Sequence, residues 1–192
     1  METQFESTCI LRNVTPLVGR IISLDIEQIA DACIKSIAKL ITLRYASLYV
    51  IDNEADNTLC LKKHNHPCLI DTRISLDLHP PSLMVMAAKD KRQIVIGDVN
   101  VRQKHALKKT KGTFASKYET DHCVITPLLY KDNLVGVLNV SDKVDGFCYQ
   151  DIDLINFFSN LAGISIGNAQ NIATMLQKNK LNTGFEAKQP IF

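Results

Sequence analysis

A chain of 192 residues with 46% hydrophobic content carries enough apolar material for one substantial core plus short extensions. Its 22 Lys and Arg against 20 Asp and Glu leave a net charge of +2, which excludes wholesale attraction to nucleic acid or membrane and leaves local charge to carry any message. No stretch approaches the roughly 18 apolar residues of a membrane span, and the N-terminus METQFESTC lacks a basic segment followed by an apolar run. A cytoplasmic location is expected, and with it reduced thiols. The six cysteines, Cys9, Cys33, Cys60, Cys68, Cys123 and Cys148, are scattered, with no C-x-x-C pair.

Residues Thr3 to Ile22 are weakly periodic and interrupted by Pro16, which predicts a short packing helix. From Asp25 the signal sharpens. Asp25 and Gln28 have capping-box spacing, and Ile26, Ile29, Ala30, Cys33, Ile37, Leu40 and Ile41 form one stripe at helical spacing. After Leu43 the period switches to two, with Ala46, Leu48 and Val50 on one face of a strand, a polar turn at Asn53 to Asn57, and a return strand over Thr58 to Lys63. A short strand at Arg73 to Leu76, a helix from Ser82 to Lys89 capped by Ser82, and a strand at Gln93 to Ile96 follow.

Val99 to Glu119 is the least regular and most basic part, with Arg102, Lys104, Lys108, Lys109, Lys111 and Lys117 and no acid between Asp98 and Glu119. A loop of that length inside a compact domain is usually functional or mobile, the bland reading being a solvated surface loop kept soluble by its lysines. Val124 to Tyr130 and Leu134 to Val140 then read as two strands joined tightly through Lys131-Asp132-Asn133. Asp145-Gly146 turns the chain, and Asp151 and Asp153 open a helix expected to run to about Leu181. Its inner side is expected to carry Leu154, Ile155, Phe158, Leu161, Ala162, Ser165, Ile166, Ala169, Ile172, Ala173 and Leu176. This order describes an α+β domain, an antiparallel sheet with helices packed against it. The expected organisation is an N-terminal helical extension over 1–24, the domain with its long helix over 25–181, and a tail over 182–192.

The pattern from Val124 to Asp153, and more broadly from about Asp25 to Asn171, resembles the GAF domain, a small sensory module of signalling proteins. The resemblance implies a six-stranded antiparallel sheet, with first and last helices on one face and a ligand pocket under short helices and loops on the other. In the cyclic-nucleotide-binding branch the most specific motif is Asn-Lys, a gap, Phe, three residues, then Asp-Glu. The matching positions here are Asp142, Lys143, Phe147, Asp151 and Ile152, with Asp142 in place of Asn and Ile152 in place of Glu. The resemblance implies that Lys143 and Asp151 brace the pocket through a salt bridge.

The basic stretch suits a phosphate or carboxylate ligand, because each sheltered charge-assisted hydrogen bond adds roughly 1.5–3 kcal/mol. Asp98, Lys108, Lys109, Thr113, Phe114, Ser116 and Thr126 are the ligand-binding candidates. His64, His66 and Cys68 alternate along an extended segment, but Pro67 and the lack of a fourth ligand leave no metal site expected. His122-Cys123 reverses the cysteine-histidine order of bilin-bearing GAF domains, so Cys123 is read as a core thiol.

An enzymatic GAF branch reduces free methionine sulfoxide with a cysteine in the loop ahead of the central hairpin. Val99 to Asp121 contains none, and no Ser-His-Asp spacing or Gly-rich phosphate loop stands in, so the chain is expected not to be an enzyme. The function expected is a small-molecule-binding sensory or regulatory module, its ligand anionic or nucleotide-like, with output through the terminal helices. The alternative is a dimerisation or scaffold domain with a self-filled pocket, and a less favoured one is a GAF-type methionine sulfoxide reductase. No cofactor is named by the residues. Val14, Leu17, Val18 and Ile21 with Ile172, Leu176 and Leu181 are expected to build a homodimer interface. With no effector domain after the helix, output is expected to pass through a signalling partner protein or the dimer itself.

Overall fold

The computed structural model describes residues 14–52, 57–97, 120 and 122–186, the side chains of 181–186 excepted. In chain order the elements are α1 (14–21), α2 (Ile26–Leu40), β1 (Tyr45–Asp52), β2 (Thr58–His64), β3 (Arg73–Ser75), α3 (Leu83–Asp90), β4 (Ile94–Ile96), β5 (Cys123–Tyr130), β6 (Asn133–Ser141) and α4 (Tyr149–Glu186). The strands form one six-stranded sheet in the order β3-β2-β1-β6-β5-β4, and every neighbouring pair is antiparallel.

Local chemistry accounts for the element ends. The Asp25 carboxylate accepts from the Glu27 and Gln28 amides at 2.9 and 3.2 Å, and the Ser82 hydroxyl accepts from Val85 N at 3.3 Å, so both helices open on a side chain that satisfies otherwise orphaned donors. The β5–β6 turn is one residue shorter than expected. Lys131 and Asp132 both take positive φ, 48° and 63°, and Asn133 already pairs with Tyr130. Two consecutive left-handed residues match the right-handed twist of the flanking strands, which a three-residue loop would not need.

Strand alternation divides the apolar residues between two layers. Ala46, Leu48, Val50, Val124, Leu128, Leu138 and Val140 face α1, α2 and α4 in the larger core. Tyr49, Leu59, Ile125 and Val137 point the other way and meet Val85, Ala87 and Ala88 of α3. The larger layer is close-fitting. An added Cβ on Gly163 would stand 2.5 Å from the Leu129 carbonyl oxygen, so α4 rests on β5 with its backbone almost in contact.

Two expectations about the terminal helices are corrected. Val14, Leu17 and Ile21 are buried in the chain's own core and supply no surface for a second copy, because they belong to the same apolar cluster as Ile29, Cys33 and Ile37 of α2. Conversely, Ile172 and Leu176, expected on the inner side of the last helix, are exposed. With 38 residues α4 is about 57 Å long at 1.5 Å per residue, and it outruns the sheet, leaving residues 171–180 without cover. The Leu181 side chain lies outside the described set. Among the described residues no helix is long and apolar enough to cross a membrane.

Candidate functional site

Strand β6 ends in a residue whose backbone cannot continue it. Asp142 has φ +64°, a left-handed conformation that Asp and Asn tolerate better than most residues because their short polar side chains bond locally. The turn buries its carboxylate completely. Oδ1 accepts from Thr120 N at 2.7 Å, while Oδ2 has no hydrogen-bond partner and faces Arg44 Nε at 3.9 Å. The Asp142 amide donates to the His122 carbonyl at 2.9 Å, and His122 Nδ1 donates to the Lys143 carbonyl at 2.7 Å. Gly97 lies against the same imidazole: at φ +74° a Cβ there would stand 2.0 Å from His122 Cδ2, so any other residue would strain the backbone and push the ring aside. Gly97 on one side and Thr120 and His122 on the other, the residues flanking the basic stretch, therefore converge on Asp142 and Lys143.

From that point the chain is tied to the start of α4. Lys143 Nζ lies 3.2 Å from Asp151 Oδ2, with the two side chains only 17% and 13% exposed. The same carboxylate oxygen accepts from Cys148 N at 2.9 Å, and Asp151 sits in the first turn, where the helix dipole favours a negative charge. Phe147, between the two, is buried in the larger core. Asp142, Lys143, Phe147 and Asp151 thus form one continuous junction between β6 and α4.

Of the ligand-binding candidates, Asp98, Lys108, Lys109, Thr113, Phe114 and Ser116 lie outside the described residues. Thr126 does not face the α3 side of the sheet. Its Oγ1 accepts from Gln93 Nε2 at 2.8 Å, and that amide also reaches Asn156 Oδ1 of α4 at 2.7 Å, so Thr126 belongs to the helix-covered face. Strand parity decides this: Val124 and Leu128 of β5 share its face, and Ile125 points the opposite way. Sequence reasoning missed Arg44, Gly97 and Thr120 as parts of the junction. Nothing in their local spacing signals it, because each arrives from a different part of the chain.

The His64 to Cys68 segment serves the fold. His66 N donates to His64 Nδ1 at 3.1 Å, the His66 ring stacks on Tyr45 with centroids 4.9 Å apart, and Asn65 Oδ1 accepts from Ala46 N at 2.6 Å. Burial, with the charge of His64 second, pushes the His66 imidazole down to about 4. Among the described residues no three His, Cys, Asp or Glu side chains are grouped as a metal would require. Burial pushes the Cys33 thiol up to about 12 and the Cys123 thiol up to about 11, which keeps both protonated and poorly nucleophilic at neutral pH. An open cleft of about 740 Å³ lies between α1, α2 and β2, on the helix side of the sheet, with Arg20, Glu27, Asp31, Lys35, Lys39 and Lys63 on its walls. Hydrogen bonds from Lys35 and then Lys63 hold the Asp31 carboxyl below its usual range, so much of the charge there is already internally matched.

A six-stranded antiparallel sheet with terminal helices on one face, a short helix on the other, and a β6–α4 junction built on Lys143 and Asp151 defines an α+β module of one sheet between two helical layers. The family model described as GAF domain matches residues 23–167, and the chain belongs to that family. No curated protein matches it by sequence. Among solved structures it is similar to the GAF domain of a phosphoenolpyruvate-protein phosphotransferase from Coxiella burnetii (14% identity, TM-score 0.66, covering 87% of this chain and 96% of that one). It is also similar to residues 122–287 of a methyl-accepting chemotaxis protein (16%, 0.64, 81% and 98%). A third is a free methionine-R-sulfoxide reductase from Neisseria meningitidis in complex with its substrate (16%, 0.59, 81% and 87%). At these identities the likeness shows the fold. The expectation that the chain is not an enzyme is overturned. Reductases stand among its structural neighbours beside signalling proteins, and a fold that carries both does not exclude catalysis.

Proposed function

We propose that this GAF domain is a regulatory module that binds a small anionic or nucleotide-like molecule on the α3 side of its sheet and passes the event to α4, acting as a homodimer through that helix and on a signalling partner protein. The observation that carries the reading is the junction. Asp142 and His122 hold the residues flanking the basic stretch, and the Lys143–Asp151 pair continues from them into the first turn of α4. A molecule that changes the setting of those flanks acts on the helix through side chains already in contact, and it shifts the equilibrium by its difference in affinity for the two settings. Lys108 and Lys109 supply the cations in this reading, and Asp142, Lys143, Phe147 and Asp151 brace the pocket.

The packing of α3 supports a second reading. Val85, Ala87 and Ala88 fill the space over Tyr49, Leu59, Ile125 and Val137 with the chain's own side chains, as a scaffold domain would. Thermal-shift measurements against nucleotides, inorganic phosphate and carboxylates separate the two, since a molecule that prefers the folded state raises its midpoint. The sensory reading expects at least one anion to raise the midpoint, and expects Lys108→Ala/Lys109→Ala to weaken that effect and flatten its salt dependence. A midpoint that no anion moves favours the scaffold.

A further inference from the structure

From Leu154 to Gln177 helix α4 contains no charged residue and no histidine, although part of that length is open to solvent. An exposed helix face ordinarily carries charge, and this one instead presents Phe157, Ile164 and Met175 at 43%, 51% and 64% exposure, with Asn160, Asn168 and Asn171 between them. Phe157 stands edge-on to the buried Phe158, ring centroids 5.3 Å apart, and is thereby set outward. Phe157, Leu161, Ile164, Asn168, Asn171 and Met175 alternate spacings of four and three, the spacing of a helix seam. The neutral stretch is bounded by Asp151 and Asp153 before it and by Lys178 and Lys180 after it.

We infer that this seam pairs with the same seam of a second copy, and that the two helices run antiparallel. The inference rests on the homodimer reading above and adds the face and the direction. The charge order decides the direction. An antiparallel pair that keeps the seam spacing sets Phe157 against the partner's Met175 and Ile164 against the partner's Asn168, and it brings Lys178 beside the partner's Asp153. A parallel pair sets Asp153 against Asp153 and Lys178 against Lys178, two like-charge contacts at the ends of a stretch with no charge to offset them. Antiparallel pairing also lays the overhanging residues 171–180 of each copy on residues 152–161 of the other, Phe157 and Leu161 among them, covering apolar surface that neither covers alone. The asparagines fit either direction, since an amide both donates and accepts.

Two kinds of measurement on the full chain test this. Light scattering at micromolar concentration is expected to give a dimer. Under mild oxidation, Phe157→Cys mixed with Met175→Cys is expected to give disulfide-linked dimers beyond the wild-type background. Either variant alone is expected to give none, because equal positions then lie about 27 Å apart along the pair. Lys178→Glu is expected to weaken dimerisation roughly three- to tenfold, and Asp153→Lys in the same chain to restore it. Cross-linking of each single variant with itself overturns the direction. A dimer in which no combination cross-links and the charge reversal has no effect overturns the face and leaves the homodimer standing. A monomer overturns the homodimer and this inference together, while the ligand-binding reading is judged separately by the thermal-shift measurements.

Discussion

Lys143 Nζ lies 3.2 Å from Asp151 Oδ2, and that oxygen also accepts from Cys148 N, so one carboxylate ties the turn after β6 to the first turn of α4. With both side chains largely shielded, the pair is screened less than a surface ion pair, and removing one partner leaves the other charge poorly solvated. Lys143→Met and Asp151→Asn are each expected to destabilise the fold by about 1–3 kcal/mol in urea unfolding. A double-mutant cycle should return a favourable coupling, and additive losses would show that the two groups act separately.

Asp142 calls for a contrast of two substitutions. Asn keeps an oxygen for the Thr120 amide, tolerates φ +64°, and replaces the unbonded buried oxygen by a neutral group, so Asp142→Asn is expected to lie within about 1 kcal/mol of wild type. Ala supplies no acceptor and is strained at that φ, so Asp142→Ala should cost about 2–3 kcal/mol. Hydrogen exchange at the Thr120 amide separates the cases: fast in the alanine variant, protected in the asparagine one.

Gly163 sets helix propensity against packing. In an open helix Gly→Ala gains about 1 kcal/mol. Here the new methyl would stand 2.5 Å from the Leu129 carbonyl oxygen and 2.9 Å from Leu129 N, both backbone atoms that cannot swing away. Gly163→Ala is therefore expected to lower the unfolding midpoint, with a net loss of about 1–3 kcal/mol. A midpoint raised by the substitution would mean that α4 sits further from β5 than described.

His66 gives stability a pH dependence of known sign. Its imidazole is held down to about 4 in the folded chain, by burial first and the charge of His64 second, against an ordinary value of 6.5. Between those values the unfolded chain binds the extra proton, so the contribution is complete above pH 6.5, falls as the pH drops through that window, and is gone below about 4. The expected loss across the whole window is about 3–4 kcal/mol at 1.36 kcal/mol per pKa unit. Unfolding free energies at pH 7.0 and 4.5 should differ less in His66→Gln than in wild type, and equal slopes would assign the dependence to other groups.

The sheet and its helices were legible in the chain because their signals are local. The stripe from Ile29 to Ile37, the alternation of Ala46, Leu48 and Val50, the caps Asp25 and Ser82, and the tight hairpin at Lys131 each depend on residues a few positions apart, where periodicity and turn chemistry act. Lys143, Phe147 and Asp151 were singled out differently, by their match to the motif of the family the chain resembles, and no periodicity or turn chemistry marks them. The face that Thr126 occupies, the burial of Val14, Leu17 and Ile21 within one chain, and the exposure of Ile172 and Leu176 were decided only by the tertiary structure. Each depends on where one element ends relative to another. An apolar residue carries the same spacing whether the sheet reaches far enough to cover it or stops short. The meeting of Arg44, Gly97, Thr120 and His122 around Asp142 likewise exists only once the α2–β1 connection and both ends of the β4–β5 connection have been folded onto the end of β6, a relation between distant parts of the chain that no short-range pattern encodes.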